Sequence, residues 1–336
     1  MSTIKDVANL AQVSIATVSR VLNNTGPVRS ELEERVLDAV RKLSYQPNKM
    51  ARSLRRSESL TIGVLIPDSR NPFFAELAKG IEDTCAAVGY TVVLCNTDEQ
   101  TEKAIHYLNT LYQQRVAGLI VVSPGQIAAH LQRLLDRRFP LVIADRPLPL
   151  LETDSVVADN YSGACQAMQH LLGSEHRRIG LIVSDRYLET VRLRWAGVED
   201  TLRMAGIALD NHLIYSKGDF LPQSGYAGAE MLLKQEHPPT AIFAFNDLMA
   251  YGVLHYAQTN GWQVPEGLAV IGFDDIMMSS YTNPSLSTVA QPKYELGQKA
   301  AEMLLRRFQQ SNAPFQQIVL PTSLIVRAST SAAVKL

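Results

Sequence analysis

From Leu60 onward, short continuous apolar runs alternate with longer amphipathic stretches, and that alternation leaves few folds open. Thr61-Ile62-Gly63-Val64-Leu65-Ile66 is typical: it holds no charge, as a strand buried on both faces requires. The apolar pattern predicts strands at 61–66, 90–95, 117–122, 140–144, 178–183, 241–245 and 268–273. Helical spacing predicts helices at 73–88, 101–114, 126–137, 161–173, 191–205, 224–235, 247–260 and 293–309. Such a βαβ series implies parallel sheets covered by helices. About 275 residues of it is long for a single sheet, so two Rossmann-like lobes are expected, with ligands taken where the carboxyl ends of their strands face each other.

The first 45 residues read differently, as a small all-α unit. A helix from Ile4 to Ala11 is followed by the turn Gln12-Val13, then by a second helix that Ser14 caps and that ends near Leu22. Asn23-Asn24-Thr25-Gly26-Pro27 is a loop. Ser30 and Glu33 have the spacing of a capping box for a third helix. Two short helices joined by a tight turn make a helix-turn-helix, whose second helix fits the major groove. Ala8 and Ala11 permit close helix approach, and Val7, Leu10, Val13, Val18 and Val21 supply a small core. Thr17, Ser19 and Asn23 offer hydrogen bonds to phosphates. The predicted organisation is a head at 1–46, a hinge helix or linker at 47–59, and a two-lobed body at 60–336.

Charge follows the same division. The whole chain carries a net −1, yet residues 1–60 hold ten Lys/Arg against six Asp/Glu. A basic head on an acidic body suits a head that meets phosphates. Met1-Ser2-Thr3-Ile4-Lys5-Asp6 lacks the basic-then-apolar order of a signal peptide, and no window suits a membrane span. A cytoplasmic location is expected, with Cys85, Cys95 and Cys165 as buried free thiols.

The run from Thr3-Ile4-Lys5-Asp6-Val7-Ala8 through Ser14-Ile15-Ala16-Thr17-Val18-Ser19-Arg20-Val21-Leu22-Asn23 resembles the head of the lactose-repressor (LacI/GalR) family. Leu43-Ser44-Tyr45-Gln46-Pro47-Asn48 and Ala51-Arg52-Ser53-Leu54 continue the likeness, which spans nearly the whole chain. The resemblance implies a transcription regulator, most simply a repressor, that binds a pseudo-palindromic operator as a homodimer and answers to a small molecule. It places Ile15, Ala16 and Arg20 at base-reading positions. Arg20 has the fork to pair with guanine O6 and N7, or else contacts phosphate. Leu54 takes the place of the family's minor-groove wedge, and Arg52, Arg55 and Arg56 add phosphate contacts. Residues 329–336 carry no leucine heptad, which favours a dimer over a coil-tethered tetramer.

The body is similar to the family's periplasmic-binding-protein-like core. Asn71-Pro72-Phe73-Phe74, Val142-Ile143-Ala144-Asp145-Arg146, Val157-Ala158-Asp159-Asn160, Arg194-Trp195-Ala196-Gly197, Phe245-Asn246-Asp247 and Ile271-Gly272-Phe273-Asp274-Asp275 carry that likeness. It assigns ligand-hydroxyl binding to Arg194, Asn246 and Asp274, with Asp145 as a fourth candidate. Phe73, Phe74 and Phe220 are candidates for an apolar wall, although Phe73 and Phe74 equally suit the core. Asp275 is read as facing solvent or capping a turn, and Asp159 and Asn160 as helix caps. A monosaccharide or polyol is the favoured effector and a purine or nucleoside the rival.

Other classes fit poorly. G-x-G-x-x-G, a P-loop, G-x-S-x-G and H-E-x-x-H are all missing, and the His and Cys residues have no metal-ligand spacing. Neither an enzyme, a cofactor nor a metal is expected. A sugar-binding transport protein would use such a body, but it calls for a secretion signal and no basic head.

Overall fold

The computed structural model describes residues 3–23, 26–45, 59–122, 126–184 and 186–330. The chain divides into two compact units, Met1–Ser59 and Leu60–Leu336. The predicted hinge helix at 48–56, with Arg52, Leu54, Arg55 and Arg56, lies outside the described residues, as does the Asn23 side chain.

In the first unit, helix α1 (Ile4–Ala11) leads through a turn to α2 (Ile15–Asn23), and α3 (Ser30–Lys42) packs on both. Thr3 and Asp6 form a reciprocal capping box at the start of α1. Gln12 ends that helix in the left-handed region, at φ 50°. Arg35 of α3 donates to the carbonyls of Ala11 (2.6 Å) and Gln12 (3.2 Å), so it satisfies the orphan end of α1 and fixes the turn. Ser14 accepts from the Thr17 amide at 3.1 Å, as a cap for α2 should. The expected box at Ser30 and Glu33 does not form. Arg29 accepts the first helical bonds, which makes it the cap and moves Ser30 inside the first turn. Leu10 is also not core: it is 50% exposed, because Val7, Ala8 and Ala11 set the buried stripe and Leu10 falls on its flank.

The second unit holds two six-stranded sheets. Lobe 1 has the order β11-β5-β4-β3-β1-β2, from β1 (Thr61–Ile66), β2 (Thr91–Asn96), β3 (Gly118–Val121), β4 (Leu141–Ala144), β5 (Asp154–Ala158) and β11 (Gln317–Leu320). Lobe 2 has the order β12-β10-β9-β8-β6-β7, from β6 (Ile179–Ile182), β7 (Ile214–Tyr215), β8 (Ala241–Ala244), β9 (Ala269–Asp274), β10 (Ser287–Ala290) and β12 (Ser323–Ile325). Every pairing is parallel except β10 with β12. The chain therefore passes between lobes after β5, after β10 and between β11 and β12.

The helices cover both faces, as buried parallel sheets demand. They are α4 (Pro72–Ala87), α5 (Thr101–Gln113), α6 (Ala128–Asp136), α7 (Asn160–Gly173), α8 (Glu189–Met204), α9 (Pro222–Leu233), α10 (Asp247–Thr259) and α11 (Lys293–Gln309). The return helix α11 crosses α4 where each carries a glycine. A Cβ on Gly80 would lie 2.2 Å from the Tyr294 carbonyl oxygen, and one on Gly297 2.0 Å from that of Leu77. That crossing locks the return of the chain into lobe 1. Among the described residues, no helix is long and apolar enough to cross a membrane.

Candidate ligand cleft and DNA-reading head

The carboxyl ends of both sheets face one cleft of about 240 Å³. Phe73, Phe74, Asp145, Arg194, Phe220, Asn246 and Asp274 all line it. Each arrives by a strand end or a helix start. Asn71 caps α4 by accepting from the Phe73 amide at 3.0 Å, which sets Phe73 and Phe74 in the first turn, edge to face at 5.1 Å. Both rings are buried in the core of lobe 1 as well as reaching the cleft. Asp145 follows β4 with φ 63°, and Asp274 ends β9 with φ 117°.

Arg194, from the second turn of α8, is buried at the centre. Its Nε donates to Asn160 Oδ1 at 2.7 Å, its Nη1 donates to the Phe245 carbonyl, and its Nη2 stands 3.7 Å from Asp274 Oδ1. The guanidinium also lies 3.7 Å from the Phe273 ring centroid. Burial pulls the Arg194 pKa down against the pull of Asp274 and Asp145. Burial pushes Asp274 up to about 8 despite Arg194, and raises Asp145 in the same way. A raised carboxyl that holds its proton can donate as well as accept.

Asn246 is more committed than its sequence position suggests. As the cap of α10 it accepts from the Met249 amide at 2.9 Å, and it donates to the Phe220 carbonyl at 3.1 Å. It thus shapes the wall and holds Phe220 in its left-handed conformation, at φ 65°. Asp159 caps α7, whereas Asn160 orients Arg194. Asp275 does not simply face solvent: it pairs with Arg327 at 2.7 Å.

Sequence reasoning missed three contributors. Arg146 is buried and makes two 2.7 Å hydrogen bonds to Glu99, with its guanidinium 5.6 Å from the Phe74 centroid and 5.7 Å from that of Phe220. Gln291 donates to Asp274 at 2.7 Å, while its own Oε1 is buried with no partner among the described residues. The one available signal was the place of Arg146 at the end of β4; its partners are distant in sequence.

In the head, Ile15, Ala16 and Arg20 stand exposed on α2, opposite the buried Val18. Thr17 is half-buried, with its hydroxyl 2.9 Å from that of Ser14. Cys85 and Cys95 are buried and Cys165 half-buried, all as free thiols, and burial pushes Cys85 up to about 11. Among the described residues, no cluster of His, Cys, Asp or Glu is arranged to hold a metal.

A helix-turn-helix head carried with a two-lobed, polar-centred cleft defines a DNA-binding regulator of the ligand-responsive class. Residues 3–48 match the bacterial regulatory proteins of the lacI family, and residues 168–330 match the periplasmic binding protein-like domain. The chain is 37% identical over 332 residues to the HTH-type transcriptional repressor PurR of Aliivibrio salmonicida, covering 98% of this chain and 99% of that protein. It is 36% identical over 334 residues to the HTH-type transcriptional repressor CytR of Escherichia coli strain K12, covering 98% and 97%. The Lac repressor dimer bound to operator and the anti-inducer ONPF superposes with a TM-score of 0.88 at 29% identity, over 98% of this chain and 99% of that one. The chain belongs to the LacI family and is a DNA-binding transcriptional repressor; its relatives are repressors, not enzymes.

Proposed function

We propose that this repressor binds a pseudo-palindromic operator as a homodimer in the cytoplasm, and that a neutral, hydroxyl-rich molecule in the cleft sets its DNA affinity. The observation that carries the effector reading is the convergence of Asp145, Arg194 and Asp274, all buried, beside the Phe74 and Phe220 rings. Asp and Arg supply the paired acceptors and donors that vicinal hydroxyls need, and the rings supply a flat wall. Six acidic side chains line the cleft against three arginines, which disfavours an anionic ligand even with Asp274 and Asp145 raised. A monosaccharide or polyol fits this chemistry. A purine or nucleoside is the second reading, favoured by one feature: the flat Arg146 guanidinium already lies against both rings, where a heterocycle would stack.

The test is fluorescence anisotropy on DNA selected by the protein itself, with ribose, galactose, hypoxanthine, adenosine and cytidine added in turn. A shift with sugars alone supports the first reading. A shift with purines or nucleosides alone replaces it with the second. Failure to select any specific DNA overturns the operator reading.

Dimerisation is supported by exposed apolar surface on both lobes. Edge strand β2 presents Val93 and Leu94, and the 277–281 segment presents Met277 and Tyr281, each at least 70% exposed in that second patch. Open apolar patches and an exposed edge strand are where a partner surface would be buried, and a second copy is the occupant proposed here. Tyr281→Asp is expected to shift the protein toward monomer in sedimentation velocity and to weaken operator binding about tenfold or more. A variant that stays dimeric places the interface elsewhere.

Arg20→Ala is expected to cost about 1–3 kcal/mol at a single base position of the site, with non-specific affinity little changed. If Arg20 contacts phosphate instead, affinity falls evenly across sequences and the salt dependence becomes shallower.

A further inference from the structure

Asp247 opens α10 directly after Asn246, is fully buried, and makes no ion pair among the described residues. Burying a carboxylate this way is costly unless donors surround it. Three do, two from the chain that leaves β9 and one from β10. Its Oδ2 accepts from the Ile276 amide at 2.9 Å and the Ser279 hydroxyl at 2.6 Å, and its Oδ1 accepts from the Thr288 hydroxyl. Thr288 Oγ1 in turn accepts from the Asp275 amide at 3.3 Å.

The segment so held is strained. Asp274 and Asp275 are consecutive non-glycine residues at φ 117° and 52°. Such conformations cost about 1–3 kcal/mol each and persist only where the surroundings dictate them. Here the amides of residues 275 and 276 are taken by Thr288 and Asp247. The carbonyls of Asp274 and Asp275 are taken by Lys293 Nζ, at 2.9 and 2.8 Å. Strand β9 has a glycine where the carboxylate passes: a Cβ on Gly272 would lie 2.3 Å from Asp247 Oδ1. Helix capping does not explain the group, because Asn246 already caps α10.

We propose that Asp247 is a positioning residue of the ligand site: through Ile276 and Thr288 it holds the 274–276 turn in the conformation that presents Asp274 to the cleft. The inference rests on the cleft reading above. Burial raises the Asp247 carboxyl to about 6, and its three donors oppose that rise. Burial raises the neighbouring Asp274 further, to about 8.

The test uses the full-length protein and two variants, Asp247→Ala and Thr288→Val, with Thr288→Ser as the conservative partner. Ribose, galactose, adenosine and cytidine are titrated calorimetrically, and amide exchange is followed by mass spectrometry. Both variants should weaken binding of whichever probe the parent takes by about tenfold or more, and Thr288→Ser should restore it. Exchange should rise about tenfold or more in 274–281 but not in β1. Parent-like probe affinity and exchange in both variants overturn the proposal, as does exchange raised evenly across lobe 2. If the parent binds no probe, the cleft reading has failed, and exchange in 274–281 alone decides the role of Asp247. If Asp247→Ala does not fold, Thr288→Val, which leaves two donors on the carboxylate, carries the same outcomes.

Discussion

Replacing Arg194 with alanine is expected to abolish the response of DNA affinity to any cleft ligand. The Arg194 guanidinium engages Asn160 and the Phe245 carbonyl, faces Asp274, and lies on the Phe273 ring. Removing it deletes the donors a ligand would meet and takes the facing cation from Asp274. Charge-assisted hydrogen bonds contribute about 1.5–3 kcal/mol each, so two lost contacts amount to about a hundredfold or more in ligand affinity. DNA affinity without ligand should stay close to that of the parent, since Arg194 lies in the body and the reading helix in the head. Arg194→Lys keeps the charge but not the fork that spans Asn160 and Phe245, so only a partial recovery is expected. Anisotropy titrations on selected DNA, with and without the active probe, make the comparison. A full response in the alanine variant would move the ligand to the Phe73 and Asp145 side of the cleft.

The parts of this molecule that were legible in its sequence are those whose reasons are local. Strand β1 is uncharged for its whole length, and α11 follows its predicted bounds of 293–309, because apolar periodicity is written in consecutive residues. Strand β7, only two residues long, was not legible, nor were β5, β10, β11 and β12. These four are short and begin with polar residues: Asp154, Ser287, Gln317 and Ser323. What makes them strands is a partner far along the chain, as where β11 pairs with β5. The site divides likewise. Asp145, Arg194, Asn246 and Asp274 were named through family resemblance and Phe73, Phe74 and Phe220 as a flat apolar wall, and the fold gathers them in one cleft. Whether they bind effector is the question the Arg194 variants answer. The Arg146–Glu99 pair, Asn160 beneath Arg194, and Asp247 behind Asp274 had no local signature, because each acts through a contact made only on folding.

Breaking the Asp154–Arg307 pair is expected to have the largest effect on stability. Asp154 is fully buried at the start of β5, and Arg307 is buried near the end of α11. Arg307 donates to Asp154 Oδ2 through Nε (2.9 Å) and Nη2 (2.6 Å), and the Gln316 amide donates to Oδ1 at 2.8 Å. Those bonds tie the returning chain to the sheet just before it enters as β11. Arg307→Ala leaves the buried carboxylate with only Arg306, at 3.8 Å, and the Gln316 amide, and breaking such a pair costs about 3–5 kcal/mol. The loss should be confined to lobe 1, and the protein carries its own reporter for that. Its two tryptophans, Trp195 on α8 and Trp262 beyond α10, both belong to lobe 2. In urea, the far-ultraviolet dichroism of Arg307→Ala should fall at a lower concentration than its tryptophan fluorescence, while the parent shows a smaller separation. The double variant Asp154→Leu/Arg307→Met removes both charges at similar volume, so it should regain most of the loss even though no ion pair is restored. If the double variant is as unstable as Arg307→Ala, the pair stabilises by its own attraction. Recovery would instead mean that the cost lies in the stranded charge, and that the return strand needs only a filled, charge-free contact at this point.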